Sequence, residues 1–224
     1  MIRAGVNVCR LNFSFGSHED HQKKIYSIRA AASACGKAVA ILQDLQGPKI
    51  RIGKLKAPVS VKRGQTVILS GREAHASEFC LPTTYPQIAS DTEPGKTILI
   101  ADGKITLKVS SVNPTKKQVT CKVINGGTIL TGKGINLPYT NVSIPALTEK
   151  DIEDVIFGVK AGVDYVGLSF VRKPEDVLRL RKILAKEGLE APVIAKIEKP
   201  EALENLDSIL DVVDGVMVAR GDLA

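Results

Sequence analysis

The chain of 224 residues has no long hydrophobic run. Its longest uninterrupted apolar stretches, such as Ala38 to Leu42, fall far short of the roughly 20 residues a membrane-spanning helix needs. Residues 1–11 also lack the apolar segment of a secretory signal, so a cytoplasmic location is expected and no membrane partner. Cysteine is scarce: Cys9, Cys35, Cys80 and Cys121 stand far apart with no paired spacing, which argues against a disulfide framework and a zinc site. Aromatics make up 4% and do not cluster; Phe79, Tyr85 and Tyr139 are too scattered to form a base-stacking surface, and no nucleic-acid partner is expected. There is no internal repeat, no low-complexity tract, no reactive-looking Cys and no Ser-His pair. His18, His21 and His75 fall on helical or inserted segments and are expected to face solvent rather than act as bases. What is plentiful is apolar residue, 44% of the chain, enough for a core in one large domain or two small ones.

Charge is unevenly spread. Residues 54–141 hold 12 Lys/Arg against 5 Asp/Glu, the whole of the net +7, while the remainder holds 19 of each. A neutral scaffold with one basic insertion points to a local anionic ligand more than to a general polyanion surface. A solvated face that keeps the protein in solution accounts for the same charge.

The flanks alternate between strand and helix patterns. Val6, Val8 and Leu11 mark a strand, and Ser17 caps a helix on which Ile25, Ile28, Ala32 and Cys35 repeat at helical spacing until Gly36. Val39 to Leu42 is an apolar strand running into Asp44. Thr148 with Asp151 opens a second helix, Tyr165 to Phe170 is a strand, and Pro174 and Gly188 bracket a third helix. Val193 to Ile197 and Val216 to Ala219 are further buried strands, with a helix starting near Pro200 between them. The middle alternates at period two through Val59, Val61, Val67, Ile98, Ile105, Leu107, Val119 and Cys121, with turn signals at Asp102-Gly103, Asn113-Pro114 and Gly126-Gly127. The expected organisation is a first barrel segment over 1–53, an inserted small antiparallel β-barrel domain over 54–141, and a second barrel segment over 142–224. Met1 to Gly5 reads as the last turn of a helix, and Ala224 stops where another helix is due. About five parallel strands cannot close an eight-stranded (β/α) barrel, so the fold class is α/β with an incomplete barrel.

In such a scaffold chemistry gathers at the carboxyl ends of the strands. Four of the five end in polar residues: Arg10, Asn12 and Ser14 share one side of the first, Asp44 ends the second, Lys196 and Glu198 the fourth, and Arg220-Gly221-Asp222 the fifth. Any one of these is more often a surface charge where a strand meets its loop; several together form a constellation. Glu198 and Asp222 suit a hard divalent ion, which takes one or two carboxylates plus substrate oxygens. Asn12, Ser14 and Asp44 suit a weakly held monovalent cation, and Arg10 and Lys196 supply positive charge for a phosphorylated or enolate-like substrate.

Five stretches carry a family resemblance: Asn7-Val8-Cys9-Arg10-Leu11-Asn12-Phe13-Ser14, Asp44-Leu45-Gln46-Gly47-Pro48-Lys49-Ile50-Arg51, Lys133-Gly134-Ile135-Asn136-Leu137-Pro138, Ala195-Lys196-Ile197-Glu198 and Met217-Val218-Ala219-Arg220-Gly221-Asp222-Leu223. In this order they resemble pyruvate kinase over essentially the whole chain. The resemblance implies transfer of a phosphoryl group from phosphoenolpyruvate to ADP, giving pyruvate and ATP. It implies magnesium (or manganese) on Glu198 and Asp222, and potassium on Asn12, Ser14, Asp44 and the Leu45 carbonyl. Arg10 would contact the phosphoryl group, Lys196 would neutralise charge in the transition state, and the Gly221 and Asp222 N–H groups would receive the substrate carboxylate. Arg51, Lys133 and Asn12 would face the nucleotide.

Phe15 stands where the family usually has a histidine near the nucleotide, which implies a weaker contact there. The first barrel strand, the last two and the domain the family uses for tetramer assembly are not represented, so this chain alone is expected to be inactive or nearly so. Two other readings share features of the pattern. A magnesium-dependent aldolase or lyase would share the carboxylate pair but has no need of the basic insertion, and an RNA-binding barrel on an inert scaffold would need aromatics that are missing.

Overall fold

The computed structural model describes residues 1–72, 79–138, 140 and 142–219. His75, Tyr139 and the stretch from Arg220 to Leu223 lie outside the described residues. The chain forms two units, one from Met1–Pro48 with Pro145–Ala224 and the other from Lys49–Ile144.

The first unit opens with a short turn of helix over Ile2–Ala4, ended by Gly5 in the left-handed conformation. Strand β1 (Val8–Asn12) leads into helix α1 (His18–Ala34), whose start is fixed by a capping box: Ser17 Oγ accepts the Asp20 N–H and Asp20 accepts the Ser17 N–H. Strand β2 (Ala40–Asp44) follows, and the chain enters the inserted unit. That unit comprises β3 (Val59–Val61), β4 (Thr66–Ser70), β5 (Cys80–Pro82), the short helix α2 (Ile88–Asp91), β6 (Thr97–Ile100), β7 (Ile105–Asn113), β8 (Gln118–Asn125), β9 (Gly127–Ile129) and β10 (Ile135–Asn136). The chain then returns through α3 (Glu149–Lys160), β11 (Tyr165–Leu168), α4 (Pro174–Lys186), β12 (Val193–Ile197), α5 (Pro200–Glu204), α6 (Leu206–Leu210) and β13 (Gly215–Val218). The single helix expected after Pro200 is thus two short ones, meeting at Asn205.

The strands of the first unit form one parallel sheet in the order β1-β2-β11-β12-β13, with Asn12 beside Asp44 and Lys196 beside Met217 in register. Spatial order follows chain order without the reversal of a doubly wound sheet, which is the order of a (β/α) barrel. Its apolar faces explain the near-continuous hydrophobic strands: Ile41, Val166, Leu168, Val193 and Ala195 are buried beneath Val155, Leu180 and Leu184 from the helices.

Two contacts with the same design hold this sheet. Asp164 Oδ2 accepts the Ile41 N–H at 2.6 Å and an Arg29 N–H at 2.7 Å, and Asp214 Oδ2 accepts the Val193 N–H at 2.7 Å and an Arg181 N–H at 2.7 Å. In each, an Asp just before a strand accepts an N–H at the start of the neighbouring strand and is clamped by a helix arginine. The sequence trace is Val163-Asp164-Tyr165-Val166 against Val213-Asp214-Gly215-Val216, too short to register as a repeat.

The inserted unit is a six-stranded sheet, β10-β6-β7-β8-β4-β5, with a separate β3-β9 pair. Its pairing is antiparallel except that β4 and β5 are parallel. The segment around Arg51 and Ile52 spans the two ends of the sheet: Arg51 bridges to Gly134 beside β10, and Ile52 bridges to Thr83 beside β5. Backbone bonds from Ile52 N to Lys133 O and from Gly53 N to Pro82 O, both 2.8 Å, secure it. These bonds draw residues 49–53 into the inserted unit, ahead of residue 54 where the sequence pattern changes. Val67, Leu69, Ile98, Leu107, Val119 and Cys121 fill its separate core. Burial in that core pushes the Cys121 thiol up to about 12, so it packs as an inert apolar group. Among the described residues, no helix is long and apolar enough to cross a membrane.

Candidate active site

Because the five strands are parallel, their carboxyl ends lie at one edge of the sheet, and three of them bring charged side chains into contact. Arg10 on β1 donates through Nε to Asp44 Oδ2 at 2.7 Å, and its Nη2 lies 2.5 Å from the same oxygen. Lys196 on β12 sits 2.9 Å from Asp44 Oδ1 and 2.9 Å from Glu198 Oε1. Glu198 Oε2 accepts the Phe170 N–H at 2.8 Å just after β11. The two-residue spacing of Lys196 and Glu198 does put both on one side, as strand alternation requires.

Two cations therefore meet two carboxylates in a nearly dry place: Asp44 is 2% exposed, Glu198 1% and Lys196 7%. Burial is the largest single influence on the Lys196 ammonium and would lower its pKa. Glu198 and Asp44 together outweigh it and hold the pKa above the ordinary lysine range. Lys196 is thus a fixed positive charge at neutral pH, not a base. Arg10 differs in leaving 52% of its side chain exposed, so some of its guanidinium faces solvent.

The third strand, to which sequence reading assigned no polar residue, supplies one. Ser169 follows β11, is 1% exposed, accepts a hydrogen bond from Lys196 Nζ at 2.8 Å and donates to the Leu45 carbonyl at 2.6 Å. The strand-end rule that flagged the other residues would have found it. Phe170 beside it has φ +55, a left-handed backbone uncommon for a bulky residue, and this turn aims its N–H at Glu198.

The loops at this edge are held from below. Asp151 closes the capping box of α3 and also accepts the Gly47 N–H at 3.0 Å, so one buried carboxylate fixes both the helix and the loop after Asp44. Gly47 has φ +65, and a Cβ there would lie 2.7 Å from the Phe170 ring. The loop after β1 is braced by Lys150 Nζ, which donates to the Phe13 carbonyl at 2.9 Å and pairs with Asp154.

The histidines correct the sequence expectation of solvent exposure. His21 is 1% exposed, stacks on Phe13 at 3.8 Å and bonds the Phe15 carbonyl at 2.9 Å through Nε2, and burial lowers its pKa. His18 is partly exposed but bonds Asp154 at 2.8 Å and stacks on Phe157. Helical periodicity alone could not show that the β1–α1 loop folds back over this face. Phe15 itself is 67% exposed.

The oxygens present fit cations. Asn12 and Asp44 are side by side in register, Asn12 Oδ1 accepts the Ser14 N–H at 2.9 Å, and the Leu45 carbonyl keeps a second lone pair beyond its bond to Ser169. Among the described residues, the buried Asp44 Oδ1 has the Lys196 ion pair and no aligned hydrogen bond, the state of an oxygen that can accept a cation. Glu198 is a dry carboxylate that could hold a divalent ion; Gly221 and Asp222 lie outside the described residues. Arg51 and Lys133 belong to the inserted unit, where Arg51 donates to the Gly132 carbonyl at 2.8 Å and Lys133 is exposed.

Comparison with known proteins places the chain in a family. Residues 1–224 match the pyruvate kinase barrel domain family. Pyruvate kinases from Staphylococcus aureus strains MRSA252 and USA300 are each 45% identical over all of this chain, which spans 38% of their length. A solved pyruvate kinase from Cryptosporidium parvum superposes with a TM-score of 0.93 at 37% identity, covering 99% of this chain and 47% of that one. The chain belongs to the pyruvate kinase barrel domain family.

Proposed function

We propose, from this family membership and the strand-end cluster, that the chain carries the site for phosphoryl transfer from phosphoenolpyruvate to ADP, forming pyruvate and ATP. The observation that carries the reading is the buried Lys196 ammonium, held between Asp44 and Glu198 at the carboxyl ends of the strands. Phosphoryl transfer has a loose transition state and asks the protein mainly for positioning and charge neutralisation. Lys196 answers that need: its charge is fixed, desolvated and already oriented, so no reorganisation is required as negative charge develops. Arg10, anchored on Asp44 along one edge, offers its exposed side to the phosphoryl oxygens.

Asn12, Ser14, Asp44 and the Leu45 carbonyl would hold potassium, and Glu198 with Asp222 would hold magnesium or manganese. When bound, these ions neutralise phosphoryl and enolate oxygens. Gly221 and Asp222 would receive the substrate carboxylate through their N–H groups, and Arg51, Lys133 and Asn12 would contact the nucleotide. The positive charge of residues 54–141 supports an anionic ligand there.

Following pyruvate formation with a lactate dehydrogenase couple tests the reading. In the chain extended to the full length of its relatives, turnover dependent on magnesium and ADP is expected, with Lys196→Met reducing it by at least about a hundredfold, as for loss of a preorganised electrostatic group. No pyruvate formation at saturating substrates, or an unchanged rate in Lys196→Met, would overturn it.

A further inference from the structure

Lys196 lies on β12 and Leu45 just after the end of β2, and a single hydroxyl joins them. Ser169 Oγ carries one proton and gives it to the Leu45 carbonyl at 2.6 Å, so toward Lys196 Nζ at 2.8 Å it can only accept. The direction of this relay is therefore fixed. Its partners leave it little freedom: Ser169 is 1% exposed, and a Cβ built on Gly47 would come within 3.0 Å of the Ser169 Cβ. The loop it presses on is pinned in turn by Asp151 through the Gly47 N–H.

We infer that Ser169 is a positioning residue that sets the Leu45 carbonyl and the Lys196 ammonium together, coupling monovalent-cation binding to the aim of the lysine. This rests on the reading that Asn12, Ser14, Asp44 and Leu45 form a potassium site. With the hydroxyl in place, the carbonyl is held by one lone pair and presents the other, while the ammonium is fixed by its hydrogen bond to Ser169 and its ion pairs with Asp44 and Glu198. Without it, the carbonyl can rotate and one ammonium N–H loses its acceptor. Groups that orient a metal ligand without touching the ion commonly change cation affinity by 10- to 100-fold, on the order expected here.

The test compares the unsubstituted chain with Ser169→Ala and with Ser169→Cys, which retains bulk and a weak donor. Thermal unfolding is followed in KCl and in tetramethylammonium chloride at equal ionic strength. The unsubstituted chain is expected to gain stability specifically from potassium. In Ser169→Ala the KCl concentration giving half that gain should rise about tenfold, with Ser169→Cys between. A purely structural role would lower the unfolding temperature equally in both salts and leave the potassium midpoint unmoved, which would overturn the inference; so would the lack of any potassium-specific gain in the unsubstituted chain. In the coupled assay, Ser169→Ala should lower kcat with KM for phosphoenolpyruvate little changed. An extended chain that shows the potassium gain and its weakening by Ser169→Ala, yet forms no pyruvate, would sink the phosphotransfer reading and leave the coupling standing.

Discussion

Lys196, proposed for the chemistry, also bears on stability. Its ammonium pairs with Glu198, and it shares Asp44 with Arg10. Lys196→Met keeps the volume of the stem but takes that cation away from the buried Glu198 carboxylate, so it should destabilise the first unit by about 3 kcal/mol in urea unfolding at pH 7. The folded chain favours the protonated lysine more than the unfolded chain does. The associated stability is therefore complete below the ordinary value of 10.5 and is withdrawn as pH rises through the higher folded value. Unfolding at pH 9 and pH 11.5 should show that loss in the unsubstituted chain and a smaller one in Lys196→Met; equal losses would remove Lys196 as its source.

Among the elements, α3 departs from helix propensity for a reason of packing. Gly158 lies in its interior, where alanine is favoured by about 1 kcal/mol. A Cβ at that position would lie 2.2 Å from Gln43 Oε1, and Gln43 is fully buried with its amide donating to the Asp154 carbonyl at 2.6 Å. Gly158→Ala should therefore destabilise by about 1–3 kcal/mol, the usual range for overpacking, against the propensity trend. A gain in stability in chemical denaturation would show that Gln43 moves aside freely. Asp154 also pairs through its side chain with Lys150, which braces the Phe13 carbonyl.

The whole molecule has two separate cores, one under the parallel sheet and one inside the inserted β unit. Each buries its own apolar set, so calorimetry should resolve two transitions. Leu180→Ala empties some of the first core and Leu69→Ala some of the second; each side chain is fully buried, and each loss should cost about 2–5 kcal/mol. Each variant should shift one transition and spare the other. A single transition moved by both would show that the units unfold together.

The amino-acid sequence by itself determined the strand and helix alternation, the helix starts at Ser17 and Thr148, the basic inserted β segment and the candidate residues at the strand ends. These follow from periodicity, capping chemistry and side-chain alternation, which act over a few residues. Tertiary structure decided what those residues do to one another. It placed Lys196 between Asp44 and Glu198, put Ser169 between Lys196 and Leu45, buried His21 against Phe13 and set an Asp-Arg clamp at two strand starts. Nearly all of those contacts join residues far apart in the chain, and only the packing of separate strands and helices around one sheet brings them within bonding distance.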